Sequence, residues 1–233
     1  SLNGPNSKKV LKKICPSLDL SIEKFPHMSY QNAEIDNHII RIMRISFSGE
    51  MCFEINVPSS YGQFIWELCM KHGKEFNITP YGTEAMHVLR AEKGFFIVGQ
   101  ETDGTITPVD LGLNWIINRD KYDFIGKRAL YRSDTIRKDR KQLVGILPKN
   151  QNESLEEGAQ LVETVTEPPM KIVGHVSSSY YSPNLKRNFA LALVKGGLEN
   201  IGKTLYAPMA NKTIEVTISN PVFIDPKGER INN

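Results

Sequence analysis

Phe53, Ile55 and Val57 alternate with Glu54 and Asn56, and Ile40, Ile42 and Ile45 lie in one β-rich run before them. This spacing predicts two strands joined as a hairpin or tight connection at Ser48-Gly49. The period then changes. Phe64, Ile65, Leu68 and Cys69 share one helical face, with Ser60 and Gln63 in capping-box spacing before it. A second helical pattern occupies "TPYGTEAMHVLRAEKG", with Thr79 as cap, Pro80 in the first turn and Gly94 just past the end. Near the start, Asn3-Gly4-Pro5 reads as a turn from the last residues of a strand into a first helix, with Pro5 at an early helical position. Residues 15–38 read as irregular. A strand end with no strand before it is expected of a piece of a longer chain. "DFIGKRAL" reads as a short capped helix beginning near Asp123.

After the polar stretch 132–141 the pattern becomes uniform. "QLVGIL", "AQLVETV", "KIVGHVSSS", "FALALVKG", "KTLYAPM" and "TIEVTIS" are short β-type runs separated by Gly, Pro and Asn. They predict an all-β sandwich or small barrel of about six strands. The fold class is therefore α+β, a sheet-and-helix domain over residues 1–134 followed by an all-β domain over 135–233.

Composition narrows the class little. The 233 residues are 40% hydrophobic and 24% charged, ordinary for a globular protein. Twenty-nine basic residues nearly balance 26 acidic ones, leaving a net charge of +3. No nucleic-acid partner is expected, and "RKDRK" at 137–141 reads as a solvated linker. No apolar run approaches the ~20 residues of a membrane span, and no signal segment opens the chain. Cys15, Cys52 and Cys69 match no zinc or redox spacing and read as free buried thiols in a reducing cytoplasm.

Candidate chemistry centres on Glu92. Ala85, Val88, Leu89 and Glu92 recur at i, i+3, i+4 and i+7, so a carboxylate ends an otherwise apolar stripe, while Arg90 and Lys93 point elsewhere. Glu92 also stands near the negative end of the helix dipole. It either reaches solvent or an arginine, or it is buried against donors such as the N–H groups of a ligand. The five histidines show no metal-ligand spacing, so no metal is expected, and His175 reads as structural within its strand. Glu50 and Glu54 read as solvent-facing. No GxSxG, GxGxxG or Walker motif occurs. "GHVSSSYYSPNLKRNFALALV" either presents hydroxyls and rings at a domain interface or is an ordinary barrel connection.

Three segments carry a resemblance. "RISFSGEMCFEINVP" resembles the R-x-[ST]-[YF]-[ST]-G-E-x-G-[FY]-E-I signature of the aminomethyltransferase family, which includes the glycine cleavage T-protein; Cys52 replaces its second Gly. "GTEAMHVLRAEKGFFIVGQETDG" resembles that family's A-x-x-x-L-R-x-E-x-G segment, and "GHVSSSYYSPNLKRNFALALV" its barrel segment. Within the family, "LNGPNSKKVL", "DFIGKRAL", "RKQLVGILPK" and "PVFIDPKGER" look like the sarcosine oxidase α-subunit branch. The absence of Cys in "KGFFIVGQE" sets the chain apart from the branch that acts in tRNA modification.

The resemblance implies an N-terminally truncated folate-binding domain followed by a C-terminal β-barrel. It implies tetrahydrofolate as the ligand of this region, with flavin and NAD in domains absent here or in partner subunits. Other sarcosine oxidase subunits are the implied partners. Glu92 matches the family glutamate that holds the pterin ring. Arg119, with Lys121 as rival, falls where the family has its basic folate contact. The family's catalytic Asp precedes the Gly-Pro turn, so no catalytic residue is assigned. A stand-alone folate-dependent transferase and a non-catalytic docking module remain as alternatives.

Overall fold

A computed structural model describes residues 1–232. They divide into two compact units: Ser1–Lys93 with the segment from Asp225 onward, and Gly94–Ile224.

In the first unit, β1 (Leu2–Asn3), β2 (Ser29–Ile35), β3 (His38–Arg44) and β4 (Cys52–Asn56) form an antiparallel sheet of order β1-β4-β3-β2. The helices are α1 (Ser7–Ile14), α2 (Gly62–Gly73) and α3 (Thr83–Glu92). Val10, Leu11 and Ile14 of α1 pack with Ile40, Ile42 and Phe53 of the sheet, and Phe64, Ile65, Leu68 and Cys69 of α2 join that core as their spacing predicts.

Several local expectations are corrected. Residues 29–35, read as irregular, form β2. Its hairpin to β3 turns on Asp36-Asn37, both at positive φ as a tight two-residue turn requires. Pro5 lies ahead of α1, whose N-cap is Asn6. The Ser60/Gln63 capping box does not form. Ser59–Tyr61 is a 3₁₀ turn, and α2 starts behind Tyr61 without a side-chain cap. Thr79 and Pro80 likewise precede α3, whose N-cap is Gly82. Gly94 does stand in the left-handed region just past α3, at φ 68°.

In the second unit, β5 (Lys141–Pro148), β6 (Gln160–Val162), β7 (Ile172–Ser182), β8 (Arg187–Lys195), β9 (Thr204–Pro208) and β10 (Thr213–Ser219) close into a barrel of order β10-β5-β8-β7-β6-β9. All six predicted β-runs are strands of it. Alternate residues fill the interior: Val144 and Ile146, Ala190 and Ala192, Ile214, Val216 and Ile218.

Within the second compact unit, residues 94–134 are bonded to the barrel. The Leu143 N–H donates to the Asp110 carbonyl at 2.8 Å, and the Gln100 amide donates to the Ser177 carbonyl at 3.1 Å. "DFIGKRAL" forms only a 3₁₀ turn, Arg128–Tyr131. The basic run is not wholly solvated. Arg137 pairs with Asp134 and Asp139 at the surface, but Arg140 is 10% exposed and grips the 2% exposed Asp110 at 2.8–3.1 Å.

The cysteines are free, with Cys15 and Cys52 buried and Cys69 half-buried. Burial, with Cys69 adding to it, pushes the Cys15 thiol up to about 11; burial pushes Cys52 up to about 12. Among the described residues no helix is long and apolar enough to cross a membrane, and no group of three or more His, Cys, Asp or Glu could hold a metal ion.

Candidate functional site

Glu92 is the last residue of α3 and is 3% exposed, which removes the solvated alternative. The helical stripe is not what carries it inside. Ala85 is exposed and Val88 and Leu89 are half-buried, whereas Arg90, Ala91, Glu92 and Lys93 are all buried. Arg90 and Lys93, expected to point away, share this interior. The final turn of α3 thus enters the unit whole, charges included. Such burial is tolerated only where each charge finds a partner.

The partner of Lys93 comes from a distant part of the chain. The Lys93 ammonium donates to the Asp225 carbonyl at 2.6 Å and to its carboxylate at 2.9 Å. Burial raises the Asp225 carboxyl, but the Lys93 bond and the N–H groups of Arg230 and Glu229 outweigh it and hold the group below the usual carboxylate range. Arg230 donates to Glu50 at 2.8 Å, so Glu50 is only partly solvent-facing. The Arg230 guanidinium is held above its ordinary value first by Glu50, then by Asp225 and Glu92. Arg44, buried in β3, donates to the Phe25 carbonyl at 2.5 Å and the Ile231 carbonyl at 3.5 Å, and burial lowers its pKa.

Arg119 belongs to the second unit, whereas Glu92 belongs to the first. Arg119 is exposed and donates to the Asn114 side-chain oxygen at 3.3 Å. It lines a depression of about 290 Å³ with Asp110, Tyr131, Arg137 and Lys138. Lys121 is exposed as well. A larger cleft of about 570 Å³ lies within the first unit, walled by Leu2, Ile55, Ile65, Trp66, Tyr81 and Met86; neither Glu92 nor Arg119 lines it.

The Ser-rich strand end of β7 spends hydroxyls inside the second unit. Ser178 donates to the buried Glu101, Ser177 donates to the Leu191 carbonyl at 3.1 Å, and the ladder is irregular there. His175 lies in β7 with Lys141 beside it at 3.4 Å. Burial, then Lys141, lowers its pKa. Sequence reasoning missed the buried charges Arg44, Arg90, Glu101 and Asp110. Arg44 had a signal, since it shares the inward register of Ile40 and Ile42.

A profile of the GCVT N-terminal domain matches residues 1–121, and one of the glycine cleavage T-protein C-terminal barrel domain matches residues 141–225. The sarcosine oxidase subunit alpha of Corynebacterium sp. (strain P-1) is 50% identical over 233 residues, covering 97% of this chain. That of Rhizobium meliloti (strain 1021) is 34% identical over 237 residues. In both cases the match spans 24% of the relative's length. The aminomethyltransferase of Thermoanaerobacter pseudethanolicus is 30% identical over 223 residues, 96% of this chain and 58% of that protein. The crystal structure of glycine cleavage system aminomethyltransferase T from Bartonella henselae shares the fold. Its TM-score is 0.77 over 95% of this chain and 58% of that one, at 22% identity.

Proposed function

The chain belongs to the GCVT family, and from that premise we propose that it forms the folate-binding region of a sarcosine oxidase α-type subunit. In this reading tetrahydrofolate accepts the one-carbon unit of the imine left by sarcosine oxidation, giving methylene-tetrahydrofolate and glycine. The oxidation itself belongs to flavin- and NAD-bearing regions outside these residues or to partner subunits.

The observation that carries the reading is Glu92, a carboxylate buried at the end of α3 within "LRAEKG". A pterin offers adjacent N–H donors, and a buried carboxylate is the acceptor that suits them. Glu92 would fix the ring's orientation, a positioning contribution rather than covalent chemistry. Arg119, or Lys121 in its place, would meet the negatively charged end of the folate.

The partition of product tests this. In the intact protein with tetrahydrofolate present, Glu92→Gln should leave amine oxidation unchanged. It should divert the one-carbon unit from methylene-tetrahydrofolate to formaldehyde, the product when water takes the imine. An unchanged partition would contradict the role of Glu92. The 30% identity to aminomethyltransferases supports a second reading, a folate-dependent transferase without oxidase activity. Failure of the intact protein to oxidise sarcosine would favour it.

A further inference from the structure

Within the first unit the segment 225–232 is fastened at three places, one of them on Lys93, the residue after Glu92. Lys93, directly after Glu92, closes α3 and donates its backbone N–H to the Arg90 carbonyl at 3.2 Å. Its ammonium binds both the carbonyl and the carboxylate of Asp225, with the two side chains only 6% and 9% exposed. A pair so buried is costly to separate, because either charge left alone lacks both its partner and water.

Asp225 has a second task. Its carboxylate accepts the N–H of Glu229 at 2.9 Å and of Arg230 at 3.2 Å, which orders the 3₁₀ turn Glu229–Ile231. That turn presents Arg230 to Glu50 and the Ile231 carbonyl to Arg44. One carboxylate therefore holds the helix end on one side and organises the segment's other two fastenings on the other.

The loop of the Ser-Gly-Glu signature completes the arrangement. Gly49 has φ 81°, and a Cβ there would lie 2.1 Å from Lys93 Cγ and 2.5 Å from Cδ. The Lys93 side chain reaches Asp225 only by crossing a residue that has no side chain. Glu50, the next residue, takes Arg230.

We propose that segment 225–232 is a strap that fixes the end of α3, with Asp225 and Lys93 as positioning residues for the Glu92 carboxylate. The proposal rests on the reading of Glu92 as the pterin acceptor. Helix ends fray, and a carboxylate at the negative pole of α3 adds a reason to do so. Lys93, held through both backbone and side chain, denies Glu92 that freedom. Arg230, whose charge senses Glu92, adds a favourable potential.

A double-mutant cycle tests it, with tetrahydrofolate affinity of the intact protein measured by calorimetry. Asp225→Ala should weaken binding about tenfold in the wild-type background. In the Glu92→Gln background the loss should be under about twofold, because the strap acts through Glu92. Asp225→Asn, which keeps an acceptor for Lys93, should fall between wild type and Asp225→Ala, and serves if the alanine variant does not fold. Amide exchange at residues 90–93 should quicken in either variant. Equal losses in both backgrounds would mean general destabilisation and overturn the strap. So would weaker binding by Glu92→Gln together with unchanged affinity and exchange in both Asp225 variants. If Glu92→Gln itself binds as tightly as wild type, the pterin reading fails and the strap's role in it falls with it.

Discussion

A carboxylate at the end of α3 faces the negative pole of its own helix, and its burial removes the water that would solvate it. Arg230, from a remote part of the chain, adds a favourable charge to that place. The same logic governs His175, which is held neutral by burial and by Lys141 although Asp103 pulls the other way. Its folded pKa is depressed, so the stability it contributes is present above about pH 6.5. That stability is lost as pH falls from about 6.5 through the folded value, because between the two only the unfolded chain takes up the proton. Urea midpoints measured from pH 7.5 down to 5 should decline, and His175→Gln should decline less steeply. Thiol chemistry offers a second check at this scale. With Cys15 and Cys52 buried and raised to about 11 and 12, a maleimide at pH 7.5 should label Cys69 first.

At the scale of elements, two junctions bear weight that periodicity does not reveal. Gly49 combines a left-handed φ with the crossing Lys93 side chain. Gly49→Ala should cost about 1–3 kcal/mol in denaturant unfolding, the strain of a non-glycine residue in such a site. Gly62→Ala, at helical φ with open space around it, should be neutral or stabilising by up to about 1 kcal/mol. Asp110 and Arg140 form the other junction. Arg140→Met strands a buried carboxylate and should cost about 3–5 kcal/mol. Arg137→Met removes only surface pairs and should cost less than about 1 kcal/mol. Both junctions join residues at least 30 positions apart, so neither could be read from local pattern.

Across the whole molecule, legibility followed the hydrophobic period. The six barrel strands were readable because each is an apolar run bounded by turn residues, and closure needs little beyond that alternation. The first unit was readable in β3, β4 and α2, whose faces repeat cleanly. It was not readable in β2, "SYQNAEI", where five polar or small residues mask the alternation and only Asp36-Asn37 betrays the hairpin. The start of α3 was misplaced because Thr79-Pro80 is a good capping sequence that the chain uses before the helix instead. The reading of Glu92 as a site residue comes from motif resemblance more than from its stripe, and its burial at the end of α3 accords with that reading. Asp225 and Arg230 come from remote sequence and carried no local signal. The account's central claim is that Glu92 receives the pterin of a reduced folate. Calorimetric titration of tetrahydrofolate into the intact protein and its Glu92→Gln variant tests it most directly. Loss of a charge-assisted hydrogen bond should weaken binding by tenfold or more, on the order of 1.5–3 kcal/mol. Equal affinity in the two proteins would contradict it.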